Sequence, residues 1–165
     1  MSNRRNTAPR RRKPLQRYLR IPAFLPVPLR ARRDGWTPQR QARFIGLLAQ
    51  SGCVRTAARA IGLSRASAYR LRRHPDAGSF NTAWNTAITG RTQPRWKFTP
   101  ADRAPLALTG ALRPRLWRGM FTGVQQKPVT SALLGLVRGL DRIDVTGAED
   151  PTEYHRIRAH FARCV

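Results

Sequence analysis

Arg65, Arg70, Arg72 and Arg73 fall within nine residues, with Ala66 and Tyr69 among them and no acid between. Guanidinium forks, an aromatic ring and a methyl suit guanine O6/N7, phosphate oxygens and thymine methyls. The chemistry this points to is the holding of a polyanion, not the making of bonds. A solvated helix face usually intersperses both signs of charge, and this run does not.

The residues before the run explain how it is held. Val54 to Ile61 reads as a helix with Ala57, Ala58 and Ile61 on one face. Gly62 can take the positive φ that ends it, and Leu63 plugs the corner. Ser64 is an N-cap for a second helix running to about Arg73. At 100° per residue, Ser64, Ser67, Ala68 and Leu71 face the first helix. Ala66, Tyr69, Arg70 and Arg73 point away from it, and Arg65 and Arg72 lie on the flanks. The pair reads as a helix-turn-helix, which lays its second helix in a DNA major groove.

Catalytic or metal chemistry finds little to work with. His74, His155 and His160 are scattered, and a spacing of five takes the last two off one helical face. Cys53 and Cys164 belong to no CxxC or Cys/His cluster, so no metal or other cofactor is expected, and a reducing cytoplasm is the plain reading. Asp141 and Asp144 sit among Arg138 and Arg142 as ion pairs. A phosphate-binding Gly-rich loop is missing. The expectation is a binding module, not an enzyme.

Charge supports that expectation. The 165 residues carry 32 Lys+Arg against 8 Asp+Glu, a formal net charge of +24, and all but three of the cations are arginine. Nucleic acid is the first candidate partner. Residues 1–33 hold eleven basic residues and no acid, and residues 36–98 hold eleven against Asp76 alone. Residues 99–165, with ten basic and six acidic, are nearer balance and are assigned another task. No run of roughly 18 apolar residues suggests a membrane span. The stretch Leu19–Leu29 is too interrupted by proline and arginine for an export signal.

Four regions are expected. Residues 1–35 read as a basic, proline-rich, disordered arm, either tracking phosphates (Arg32 and Arg33 among its contacts) or serving as an incidental leader. Residues 36–90 form the helix-turn-helix domain. Within it, Thr37-Pro38 starts a supporting helix that buries Phe44, Leu47 and Leu48 and stops at Gly52. A fourth helix from about Ala77 to Gly90 carries a packing stripe of Phe80, Ala83, Trp84, Ala87 and Ile88. Residues 91–99 are a linker that tucks an aromatic residue onto its neighbour. In residues 100–165, a short helix from Ala101 towards Leu112 precedes a small β-hairpin around Gly119 and Gly123. An apolar helix over Thr130–Arg142 and an amphipathic segment over residues 152–163 follow. The apolar helix serves either self-association or an intramolecular mini-core. The fold class is mainly all-α.

The run Asp34-Gly-Trp-Thr-Pro38, Gln41-Ala-Arg-Phe44, Leu47-Leu48-Ala49, Ser51-Gly52 and Val54 resembles a bacterial and phage family. Ala57-Ala58, Ile61 through Arg73, and Phe80 with Trp84 continue the similarity, to the small helix-turn-helix proteins related to phage terminase small subunits. It covers residues 34–88 and extends faintly through Leu116–Gly119 and Leu133–Leu140. Cys53 departs from it, standing where the family has a Ser or Asn cap. The resemblance implies double-stranded DNA binding, for genome packaging beside a large terminase ATPase or for transcriptional control. An RNA-binding or ribosome-associated role is the alternative that charge alone allows. Base contacts are expected from Ala66, Tyr69, Arg70 and Arg73. Phosphate contacts are expected from Ser64, Arg65, Arg72, Arg32 and Arg33. A homo-oligomer in the bacterial cytoplasm completes the reading.

Overall fold

The computed structural model describes residues 19–30, 32 and 34–145, with side chains to Gly139 in the last helix. Four helices come first: α1 (Pro38–Ser51), α2 (Val54–Ala60), α3 (Arg65–Arg72) and α4 (Gly78–Thr89). A 3-10 turn (Pro100–Asp102), α5 (Arg103–Leu108), strands β1 (Ala111–Trp117) and β2 (Met120–Lys127), and α6 (Thr130–Val145) follow. The fold is broadly helical with a small antiparallel sheet, so it is mixed and not purely all-α.

Local chemistry sets the helix ends. Thr37 Oγ1 accepts from Arg40 N at 3.2 Å, with Pro38 opening α1. Gly52, at φ 62°, closes α1 in the left-handed region where a Cβ would be strained. Between α1 and α4 the core is aromatic. Trp84 and Phe44 are wholly buried with ring centroids 4.9 Å apart, and Phe80 lies 5.9 Å from Trp84. Ile88 is turned out of the expected stripe and is exposed.

The N-terminal expectation is corrected for the residues that are described. Leu19, Ile21, Phe24 and Val27 are all buried. Phe24 meets Phe80 edge-on at 5.5 Å. The extended segment is fixed on three sides. Phe24 exchanges backbone bonds with Leu112 of β1 at 3.0 and 2.8 Å. Leu25 N donates to Ser79 Oγ on α4 at 3.1 Å. On α1, the buried Gln41 accepts from Val27 N at 2.8 Å and donates to Val27 O at 3.0 Å. Proline excludes helix here, but it leaves extended backbone free to lay an apolar side chain on a neighbour at every second or third residue. Residues 1–18 and Arg33 lie outside the described residues.

The hairpin of the C-terminal region packs on the helices before it. The short helix ends at Leu108, and Leu112 belongs to β1 and is fully buried. The hairpin turns at Arg118-Gly119 (φ 50° and 80°). It docks on α1, where Phe121 N donates to Gln50 Oε1 at 3.0 Å. The Phe121 ring fills the space that Gly46 leaves, since a Cβ there would stand 2.1 Å from the ring edge. Trp96 of the 91–99 connection lies over Gly78 in the same way, the tucked aromatic expected of it. The helix expected to end at Arg142 runs to Val145. The side chains of Asp141 and Asp144 and the segment 152–163 lie outside what is described.

Candidate nucleic-acid interface

The turn between α2 and α3 satisfies its own backbone. Leu63 N donates to Ala58 O at 3.0 Å and Gly62 N to Arg59 O at 3.0 Å, the paired bonds of a Schellman ending. Gly62 sits at φ 75° with open space around it, so backbone conformation alone requires glycine there. Leu63 is half-buried over fully buried Ala58. Ser64 Oγ accepts from Ser67 N at 3.1 Å, and Ser67 Oγ donates back to Ser64 O at 2.7 Å. The start of α3 is therefore set locally, through a glycine, a serine cap and a small residue beneath the corner.

Ala68 and Leu71 are the buried residues of α3. Ala66, Arg70 and Arg73 are exposed on the opposite face, at positions i, i+4 and i+7. Arg65 is exposed at the first turn, beside the exposed cap residue Ser64. Among the described residues no arginine or lysine pairs with a carboxylate, so none there matches these guanidinium groups.

Two of the expected contact residues are engaged elsewhere. Tyr69 is half-buried, its ring 5.7 Å from Trp84, with the Arg65 guanidinium 5.5 Å above its centroid. Arg72 covers the other aromatic neighbour. Its guanidinium carbon is 5.2 Å from the Trp84 ring, and Nη2 donates to Asn85 Oδ1 at 3.0 Å. Tyr69 and Arg72 thus also hold α3 against α4. Helical angle alone puts Tyr69 on the outward face and Arg72 on the flank, and the position of α4 adds the contacts with Trp84 and Asn85.

Arg32 is exposed in the turn before α1, where its carbonyl accepts from Gly35 N at 3.1 Å. Trp36 and Pro38, next along the chain, line one cavity of about 970 Å³ with Pro75 and Asp76. Sequence reasoning overlooked Arg55 and Arg59, exposed one turn apart on α2. Their i, i+4 spacing was the available signal. Exposed guanidinium groups thus stand on both short helices, each able to meet phosphates or base edges.

Among the described residues no three His, Cys, Asp or Glu side chains gather, and no helix is long and apolar enough to cross a membrane. In comparisons with known protein families, curated proteins and solved structures, the chain matches none.

Proposed function

We propose that the chain binds double-stranded DNA through the α2–α3 helix-turn-helix and catalyses no reaction of its own. The observation that carries this reading is the strip Ala66–Arg70–Arg73 on a helix whose start is capped and whose flank is clasped to Trp84. Such a helix offers a rigid face to a groove, and direct readout of bases needs that rigidity. Arg65, Ser64, Arg55, Arg59 and Arg32 supply phosphate contacts around it. RNA recognition more often uses aromatic sheets or loops.

Within DNA binding the role is packaging, as the terminase-small-subunit resemblance implies, or transcriptional regulation. The exposed Leu133, Leu134 and Val137 of α6 give either role a surface for self-association. A regulator forms a dimer on half-sites about one helical turn apart. A packaging subunit forms a larger ring beside a large ATPase, so the mass of the particle in solution separates the two. The proposed site of action is the bacterial cytoplasm. Competition between duplex DNA and structured RNA for the purified protein tests the class. Retention of duplex is expected, and preferential retention of RNA would overturn the reading.

A further inference from the structure

The β1–β2 hairpin is built as though its outer face had a use. Leu112 and Pro114 of β1 are buried, and Leu116, half-buried, packs against the core. The alternate residues Arg113, Arg115 and Trp117 therefore stand on the opposite face and are exposed. Arg118, at the turn, places its guanidinium 5.8 Å from the Trp117 ring. Trp117 is 67% exposed and its cross-strand partner Met120 is 57% exposed. Residues 111–127 contain four cations and no acid. Two large apolar side chains at a turn gain nothing by facing water, and the cations beside them select a polyanionic partner.

Position in the fold supplies the second argument. Phe121 N is held by Gln50, and Gln50 is four residues before α2 begins. The hairpin tip thus lies near the N-terminal end of α2. Seven residues of α2 span about 10 Å, and the α3 cap follows the next turn. A minor groove lies about half a helical turn, roughly 17 Å, from the neighbouring major groove that the recognition helix would occupy.

We propose that the hairpin is a second duplex-DNA contact, a wing whose Arg113, Arg115 and Arg118 hold phosphates while Trp117 and Met120 enter the adjacent minor groove. Side chains of this apolar kind wedge against base steps from the minor-groove side, and arginine favours the negative potential there. The contact rests on the duplex-binding reading above and adds to it a site that the helix-turn-helix does not contain.

The test uses the full chain and a random-sequence duplex of about 30 base pairs over a salt series. Three proteins are compared: wild type, Arg113→Gln/Arg115→Gln/Arg118→Gln, and Arg70→Ala/Arg73→Ala. Each lost phosphate contact lowers the log–log salt slope by about 0.9, so the triple variant is expected to lose between about 2 and 3. Trp117→Ala is expected to weaken binding at least fivefold, the low end for an aromatic ring against a base, with Trp117→Phe restoring part of it. Hydroxyl-radical footprinting should show minor-groove protection that Trp117→Ala removes and the α3 variant shifts without abolishing. All these side chains are exposed, and an unchanged thermal transition verifies folding. A wild-type slope and footprint in the hairpin variants, with binding weakened in the α3 variant, would overturn the wing and leave the helix-turn-helix reading standing. The reverse pattern would overturn the helix and keep the wing. An unchanged slope with an altered particle mass would assign the strip to a second copy of the chain and also overturn the proposal. Failure of the wild type to bind duplex would overturn both.

Discussion

Gln41→Ala should be among the most damaging single substitutions in this protein, although the residue is polar and not part of the proposed interface. Gln41 is fully buried, and its amide closes two bonds with the Val27 peptide, at 2.8 and 3.0 Å, and a longer one of 3.3 Å to Trp36 O. Val27 is itself buried, so truncation leaves a peptide N–H and C=O without partners and away from water. Losing those bonds costs about 2–4 kcal/mol in total, and the void adds about 1 kcal/mol. A domain of this size has only about 5–15 kcal/mol to lose. Gln41→Leu fills the void without the bonds and should cost the first amount alone. With a urea m-value of about 2 kcal/mol/M, the midpoint should fall by about 1.5–2.5 M for Ala and somewhat less for Leu, at constant m. A midpoint shift below about 0.3 M for both variants would refute the reasoning, because it would mean that water serves the Val27 peptide equally well. That result would return residues 19–29 to the status of a detachable arm.

Four further outcomes follow from named contacts. Arg70→Ala should weaken binding to the preferred duplex by about 1–3 kcal/mol and relax preference at one or two base pairs, read by selection from random duplexes. Arg72→Ala should instead lower stability by about 1 kcal/mol through the lost Trp84 and Asn85 contacts, while the salt slope of DNA binding stays unchanged. Gly46→Ala gains about 1 kcal/mol of helix propensity but drives a methyl into the Phe121 ring. Overpacking of about 1–3 kcal/mol should prevail, with amide exchange faster in β1 and β2 than in α2 and α3. Leu133→Glu with Leu134→Glu should reduce the particle mass in solution if α6 mediates self-association, and an unchanged mass would remove α6 from that role.

The parts of this protein that local chemistry decides were legible without coordinates. Thr37-Pro38 and Gly52 bound α1, Gly62 and Ser64 define the α2–α3 turn, and Gly119 marks the hairpin, because caps and positive-φ turns depend on a few adjacent residues. The periodic face of α3 likewise separates Ala66, Arg70 and Arg73 from Ala68 and Leu71. Periodicity stops there, since it says which way a side chain points and not what stands opposite it. Tyr69 and Arg72 gain packing contacts only because α4 brings Trp84 and Asn85 beside them. Leu19, Ile21, Phe24 and Val27 carried an apolar signal that the surrounding prolines and arginines obscured. Composition describes what a segment cannot form, whereas burial depends on partners distant in sequence, here Gln41, Ser79 and Leu112. The hairpin follows the same rule. Its turn is local, but its seat on α1 comes from Gly46 and Gln50, about 70 residues earlier, meeting Phe121. Sequence therefore determined the elements and the outward arginine face, and tertiary packing decided which aromatic and basic side chains remain available to a partner, because availability is set by neighbours that only the folded chain brings together.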